Sequence, residues 1–307
     1  MSGQRLSRRL RRVGDAVAGF IAVGVIRAMR LINVDVMSNF AGWLMRRIGP
    51  WLPEHRVGRA NLVAAFPEKS PAEIETILRG VWDNLGRVGA ELAHIDRLWD
   101  YHSAKPGQPR RILDSDESER IIEKLRDDGK PALIFAAHLA NWEIAAVAAH
   151  SYGVNSTVLY RRPNIKALSD EVVRLRRGCM GTLVHTSMDA PTKLLDAIQA
   201  GSHIALLVDQ YNVQGVDVNF FGRRTKANPL VARLARNIEC PIHGVRVVRF
   251  PGNRFQLRLT EAIEPARDAD GRIDVAGTMQ IITSVVEGWV REHPEQWLWL
   301  HRRWRDD

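Results

Sequence analysis

Apolar positions along the chain change period several times, and each change marks an element. From Val13 to Gly49-Pro50 apolar residues dominate, in runs that predict one or two helices. Residues 55–100 keep helical spacing with a break at Phe66-Pro67. The pattern restarts at Ser70-Pro71, where a capping serine, a proline at the first helical position and Glu73 in the first turn mark a helix start. Residues 104–116 carry no period and read as a loop. Short apolar runs then alternate with amphipathic stretches. Helix 116–128 leads to strand 132–137, helix 142–150 to a strand near 155–160, helix 166–178 to a short strand near 182–185, and helix 190–200 to strand 203–208. An extended piece at 216–220 precedes helix 226–237, strands near 241–249 and 254–260 joined by a turn at Asn253-Arg254, and helix 275–292. Strands separated by helices of this length imply βαβ units, hence an α/β fold with a mixed, largely parallel central sheet flanked by helices. No linker splits the body of the chain. The division expected is a basic, apolar segment over 1–50 and one domain over 51–307.

Composition narrows the class. With 45% hydrophobic and 26% charged residues in a chain of 307, the protein is globular rather than disordered. A net charge of +9 favours an anionic partner: nucleic acid, an anionic membrane or a phosphorylated substrate. Two cysteines, Cys179 and Cys240, exclude a disulfide framework and a cysteine-based zinc site. Arg5, Arg8, Arg9, Arg11 and Arg12 precede the apolar run Val13–Ile26, and Arg27 and Arg30 follow it. That run is shorter than the roughly 20 residues a membrane-spanning helix needs. It suits a helix lying in an anionic membrane face.

The chemistry gathers at predicted strand ends, where an open α/β sheet keeps its sites. The apolar run Ala132–Ala137 ends at His138-Leu-Ala-Asn-Trp-Glu143. Residues five apart do not share a face of one helix. His138 and Glu143 therefore meet only if His138 precedes the helix and Glu143 sits in its first turn, with Asn141 as a natural cap. A histidine oriented by a carboxylate is a general base; the plain alternative is a structural histidine and a glutamate favoured by the helix dipole. The next strand ends at Tyr160-Arg161-Arg162-Pro163-Asn164, whose arginines suit a phosphate or a carbonyl oxygen, or form a solvated loop. Arg177 follows on the next helix. Strand 203–208 runs into Asp209-Gln210, and Lys193 lies on the helix that feeds it. Phe220-Phe221-Gly222 with Arg223, Arg224 and Lys226 fits an acyl pocket, a membrane interface or an edge strand. The Trp- and Arg-rich tail 293–304 leaves core, interfacial belt and base stacking open.

These blocks together closely resemble the bacterial lipid A biosynthesis acyltransferases, the late lauroyl/myristoyl transferases. The matching stretches are Arg59–Pro67, HLANWE at 138–143, YRRPN at 160–164, Asp209-Gln210, VDVNFFGRRT at 216–225 and HPEQWLWLHRRWR at 293–305. Ala140 stands where the family commonly has glycine, and Trp297 where it commonly has tyrosine. The resemblance implies a glycerolphosphate-acyltransferase-like sheet with membrane-associated N-terminal helices. It implies O-acyl transfer from an acyl carrier protein thioester to a hydroxyl of a phosphorylated glycolipid, the lipid A precursor. His138 is then the base and Glu143 its orienting acid, with Asn141, Arg161, Arg162, Arg177, Lys193, Asp209 and Gln210 toward substrate. A thioester is already activated, so no metal or cofactor is expected. The chain has no serine or cysteine in a nucleophile motif, so transfer is expected to be direct. Such donors are cytoplasmic, which implies a domain on the cytoplasmic side of the inner membrane and no nucleic-acid partner. Related alternatives are acyl-CoA-dependent acylation of a mannosylated phosphoinositide, hydrolysis of the donor, or a non-catalytic membrane-surface binder.

Overall fold

The computed structural model describes residues 2–101, 110–113, 115–163 and 165–305, without the side chains of 2–13, 15 and 16. The side chains of Arg5, Arg8, Arg9, Arg11 and Arg12, residues 104–109 and 114 of the loop expected over 104–116, and Asn164 lie outside the described part. Four helices come first: α1 (Ser2–Met29), α2 (Val34–Ile48), α3 (Pro53–Ala65) and α4 (Pro71–Leu92). The restart at Ser70 is a full capping box. The Ser70 hydroxyl accepts from the Glu73 N–H, and the Glu73 carboxylate accepts from the Ser70 N–H at 2.8 Å.

Strands and helices then alternate: β1 (Ile112–Leu113), α5 (Asp116–Asp127), β2 (Leu133–Ala136), α6 (Glu143–Ser151), β3 (Ser156–Tyr160), α7 (Lys166–Arg177), β4 (Thr182–His185), α8 (Ala190–Gln199) and β5 (His203–Leu207). After them come β6 (Tyr211–Phe220), β7 (Arg223–Ala227), α9 (Leu230–Asn237), β8 (Ile242–Phe250), β9 (Arg254–Leu259) and α10 (Val275–Glu292). The central sheet has seven strands in the order β1-β9-β8-β2-β5-β3-β4. All neighbours are parallel except the β8–β9 hairpin, which turns through Gly252 and Asn253, both at positive φ. The mixed, largely parallel sheet expected from the pattern is therefore present.

Two details differ from the pattern. Residues 226–227, expected to open a helix over 226–237, are the end of β7, and that helix starts at Leu230; the extended piece at 216–220 is the end of a longer strand. Phe221 at φ 53° and Gly222 at φ 69° make a tight turn that folds β7 back on β6 as a separate hairpin. A phenylalanine at such a position gives no turn signal. The two residues of β1 pair in parallel with β9 inside the stretch read as a loop; they are too few to show a period.

Strand residues alternate between two apolar layers. Leu133, Phe135, Ile204 and Leu206 face α8, α9 and α10, where Phe135 stacks on Trp289 with ring centroids 5.6 Å apart. Gly244 sits at that stack because a Cβ there would come within 2.9 Å of both rings. The opposite layer holds Ile121, Leu125, Ile144, Val147 and Leu175 from α5, α6 and α7. Helix α2 lies across α4 so closely that a Cβ on Gly86 would meet the Ala41 carbonyl at 2.4 Å. Helix α1 is tied to α7 and the turn at 95–97 through Arg27–Glu171 and Arg30–Asp96 ion pairs. Among the described residues no helix is long and apolar enough to cross a membrane.

Candidate active site

Strands β2 and β5 are parallel neighbours paired Ala136 to Leu207. Two residues beyond each, His138 and Asp209 leave the sheet at the same level. The His138 ring Nδ1 lies 2.8 Å from Asp209 Oδ1. Asp209 Oδ2 accepts from the His138 backbone N–H at 2.8 Å and from the Trp297 indole Nε1–H at 2.7 Å. Burial alone pushes the Asp209 carboxyl upward, but the adjacent His138 ring and these N–H donors outweigh it and hold the group below the usual carboxylate range. An ionised carboxylate only accepts, so Nδ1 carries a proton toward Asp209, and in the neutral ring Nε2 is the accepting nitrogen. The Gln210 amide nitrogen lies 3.4 Å from that Nε2, and the Trp142 ring meets the imidazole edge-on at 4.9 Å.

Glu143 does not orient His138. Its carboxylate is forked by Arg176 of α7, Nε to Oε2 at 2.9 Å and Nη2 to Oε1 at 2.5 Å. The turn between β2 and α6 swings Glu143 toward the end of α7, while β5 delivers Asp209 to the histidine. The guanidinium of Arg176 also lies over the Tyr160 ring at 5.7 Å.

A buried polar network fixes this turn. Ala140 adopts φ 47°, its N–H donates to the Gln296 carbonyl at 2.9 Å, and its own carbonyl accepts from Asn84 Nδ2 at 3.2 Å. The Leu298 N–H donates to the His138 carbonyl at 3.1 Å. Asn141 is fully buried; its Nδ2 donates to Glu91 Oε2 at 2.8 Å, and its Oδ1 accepts from the Glu143 N–H at 3.2 Å. Glu91 also takes Ser38 Oγ at 2.7 Å and two bonds from Arg249 at 2.6 and 2.8 Å. Burial opposes the Glu91 charge, yet Arg249 and the hydroxyl and amide donors hold its carboxyl below the ordinary range.

A cavity of about 620 Å³ runs between the sheet and α4, α5 and α6. Ser156 and His203, at strand starts, line one end, and His138, Tyr160 and Gln210, at strand ends, line the other. His203 is level with Ala132, six residues before His138, so the two ends are at most about 20 Å apart at strand rise. The walls between are apolar, with Val88, Leu92, Ile134, Ala146 and Val158 among them. The alanines Ala145, Ala146 and Ala149 leave the space that larger side chains of α6 would fill.

The residues marked from sequence divide accordingly. His138, Glu143, Arg161 and Gln210 line the cavity, and Asp209 stands behind His138. Arg162 is exposed, its Nε 3.4 Å from the Tyr160 hydroxyl. Arg177 is exposed at the end of α7 and its neighbour Arg176 takes the cavity position instead, because helical phase turns the two apart. Lys193 pairs with Asp189 at 2.7 Å on α8, which packs on the far face of the sheet. Asn141 is tied to Glu91 and does not line the cavity. Sequence reasoning did not single out Arg176, Trp297 or His301 as individual site residues. His301 lines the cavity, and burial pushes its ring below the usual histidine value.

The arrangement can do one kind of chemistry well. An oriented imidazole can take a proton from a hydroxyl, here beside an apolar cavity with room for a long chain and next to cations able to hold negative charge. Cys179 and Cys240 line no part of the cavity, and burial pushes both thiols up to about 11. No curated protein matches the chain. A family model matches residues 1–306; it is that of the bacterial lipid A biosynthesis acyltransferases.

Proposed function

The chain belongs to the bacterial lipid A biosynthesis acyltransferases, and from that membership we propose that it moves a fatty acyl chain from an acyl carrier protein thioester to a hydroxyl of a lipid A precursor, with His138 as general base. The observation that carries this reading is the His138–Asp209 pair opening onto the apolar cavity. His138 Nε2 takes the acceptor hydroxyl proton as the oxygen attacks the thioester carbonyl. Asp209 holds the ring and stabilises the imidazolium that forms. The tetrahedral intermediate collapses with cleavage of the carbon–sulfur bond, and the imidazolium returns its proton to the departing thiolate. The ester forms directly, with no acyl-enzyme. The acyl chain lies in the cavity, excluding water that would hydrolyse the donor. Arg161 and Arg176 both line the cavity and are the proposed cations for an oxyanion or the acceptor phosphate, Arg176 being fixed by Glu143.

An anionic glycolipid and an acidic carrier both suit a net charge of +9. Residues 1–50 are proposed to anchor the domain over 51–307 to the cytoplasmic face of the inner membrane. Exposed Val17, Phe20, Ile21, Val36, Phe40 and Trp43 on α1 and α2 support an interfacial anchor.

The test offers purified protein acyl carrier and acyl-CoA thioesters of graded length, with a lipid A precursor or a mannosylated phosphoinositide as acceptor, and reads products by mass spectrometry. A lipid A precursor gaining one ester-linked chain from the carrier thioester is the expected product. Transfer only from acyl-CoA to the phosphoinositide, or release of free fatty acid alone, overturns the reading.

A further inference from the structure

Of the three readings of the tail motif at 293–305, core, interfacial belt and stacking, Trp297 takes the first: it is a core residue, and it carries one polar contact there. Its indole is buried, with Trp299 edge-on at 4.5 Å on one side and Phe220 at 5.6 Å on another. The ring is thus held from two directions and has one polar contact, the Nε1–H donated to Asp209 Oδ2 at 2.7 Å. The same segment grips the partner of that carboxylate. Leu139 and Trp297 form an antiparallel bridge, and the Leu298 N–H donates to the His138 carbonyl. One short stretch therefore holds both members of the pair, the histidine by its backbone and the aspartate by its side chain. Trp297 is buried and does not line the cavity.

We infer that Trp297 is a positioning residue that sets the basicity and orientation of His138 by holding the Asp209 carboxylate. The inference rests on His138 acting as the base. Asp209 Oδ2 has two donors, the His138 backbone N–H and the indole. A carboxylate that loses one of them is more basic, and it holds the proton of the imidazolium more firmly. The imidazole and the carboxylate behave as one coupled pair, so the apparent ionisation of the pair is expected to move to higher pH when the indole donor is removed. A base that stays protonated to higher pH works over a narrower range.

The experiment uses the full chain with Trp297→Phe and, to preserve shape, with benzothienylalanine placed at position 297, whose sulfur replaces the N–H. Trp299→Phe is the packing control: its indole is equally buried but donates to the Pro294 carbonyl. NMR titration of the His138 ring needs no substrate and is read first. The expected result is a midpoint at higher pH in both position-297 variants and an unmoved midpoint in Trp299→Phe. In the acyl-transfer assay, kcat falls about ten- to a hundred-fold, the range for a hydrogen bond to a charged group, KM is unchanged, and the acid limb of the rate profile moves up with the midpoint. An unmoved midpoint in the benzothienylalanine protein, or an equal shift in Trp299→Phe, overturns the inference. Shifted midpoints in the position-297 variants, together with a wild-type protein that transfers no acyl chain, would leave Trp297 tuning the pair and remove the proposed function instead.

Discussion

At the scale of single residues, the site depends on which carboxylate stands behind His138. Asp209 is buried, ionised and bonded at both oxygens. Asp209→Asn keeps the shape but presents an amide that need not hold the Nδ1–H tautomer. A drop in kcat of roughly 10³–10⁴ is expected, by analogy with the same exchange in serine-protease triads, and steady-state kinetics at pH 7 measures it. Glu143→Gln acts differently. It loosens Arg176, so its effect is expected without movement of the acid limb, which a rate profile for the two variants side by side separates. Ala140 holds φ 47° without being glycine. Left-handed backbone costs a residue with a Cβ about 1–2 kcal/mol, part of which glycine's extra chain entropy offsets. Ala140→Gly is expected to stabilise the fold by about 0.5–1 kcal/mol, seen as a higher denaturant midpoint with unchanged slope. The strand ends carrying His138, Tyr160 and Asp209 were all legible in the sequence, because apolar runs stop there. Their pairing was not. His138 and Asp209 meet because β2 and β5 are neighbours in register, and no local pattern says which parallel strands are adjacent.

At the scale of elements, the longer periodic helices and strands were read correctly, and the errors fall where an element is short or its turn is unusual. The β6–β7 hairpin escaped because Phe221 takes a conformation that phenylalanine rarely adopts. The network linking α2, α4, β8 and the turn after β2 also escaped, since Ser38, Glu91, Asn141 and Arg249 are far apart in the chain. Two predictions belong here. Gly86 lets α2 rest on α4, and Gly86→Ala puts a methyl into the Ala41 carbonyl. Overpacking of this kind costs about 1–3 kcal/mol, measurable by denaturant unfolding. The tether of α1 to α7 is pH-dependent. Arg174 first, then Arg27 against the opposing effect of burial, hold Glu171 at about 2 rather than 4.5. A depressed carboxylate stabilises fully above its ordinary value and loses that contribution as pH falls toward its folded value. Amide protection in the last turns of α1, the exchange rate taken relative to the intrinsic rate at each pH, is therefore expected to be high above about pH 4.5 and to fall progressively between there and pH 2.

At the scale of the whole molecule, the sheet order brings three strand ends to one rim and leaves a long apolar cavity beneath them. Fold class and the rim were legible from alternation of strands and helices. The cavity was not, since it arises from small residues on α6 facing a sheet that the sequence does not assemble. Family membership supplies acyl transfer, and the geometry supplies an apolar cavity and an oriented histidine at its mouth. The proposed reaction depends on that histidine acting as the base. Its most direct test is single-turnover transfer from an acyl carrier thioester to a lipid A precursor by wild type and by His138→Ala, with circular dichroism and acyl-chain binding measured on both. The expected result is a fall of roughly 10³-fold or more in the transfer step, the loss of a general base and its oriented partner, with fold and chain binding retained. Transfer by the folded His138→Ala protein at a rate near that of wild type would contradict it.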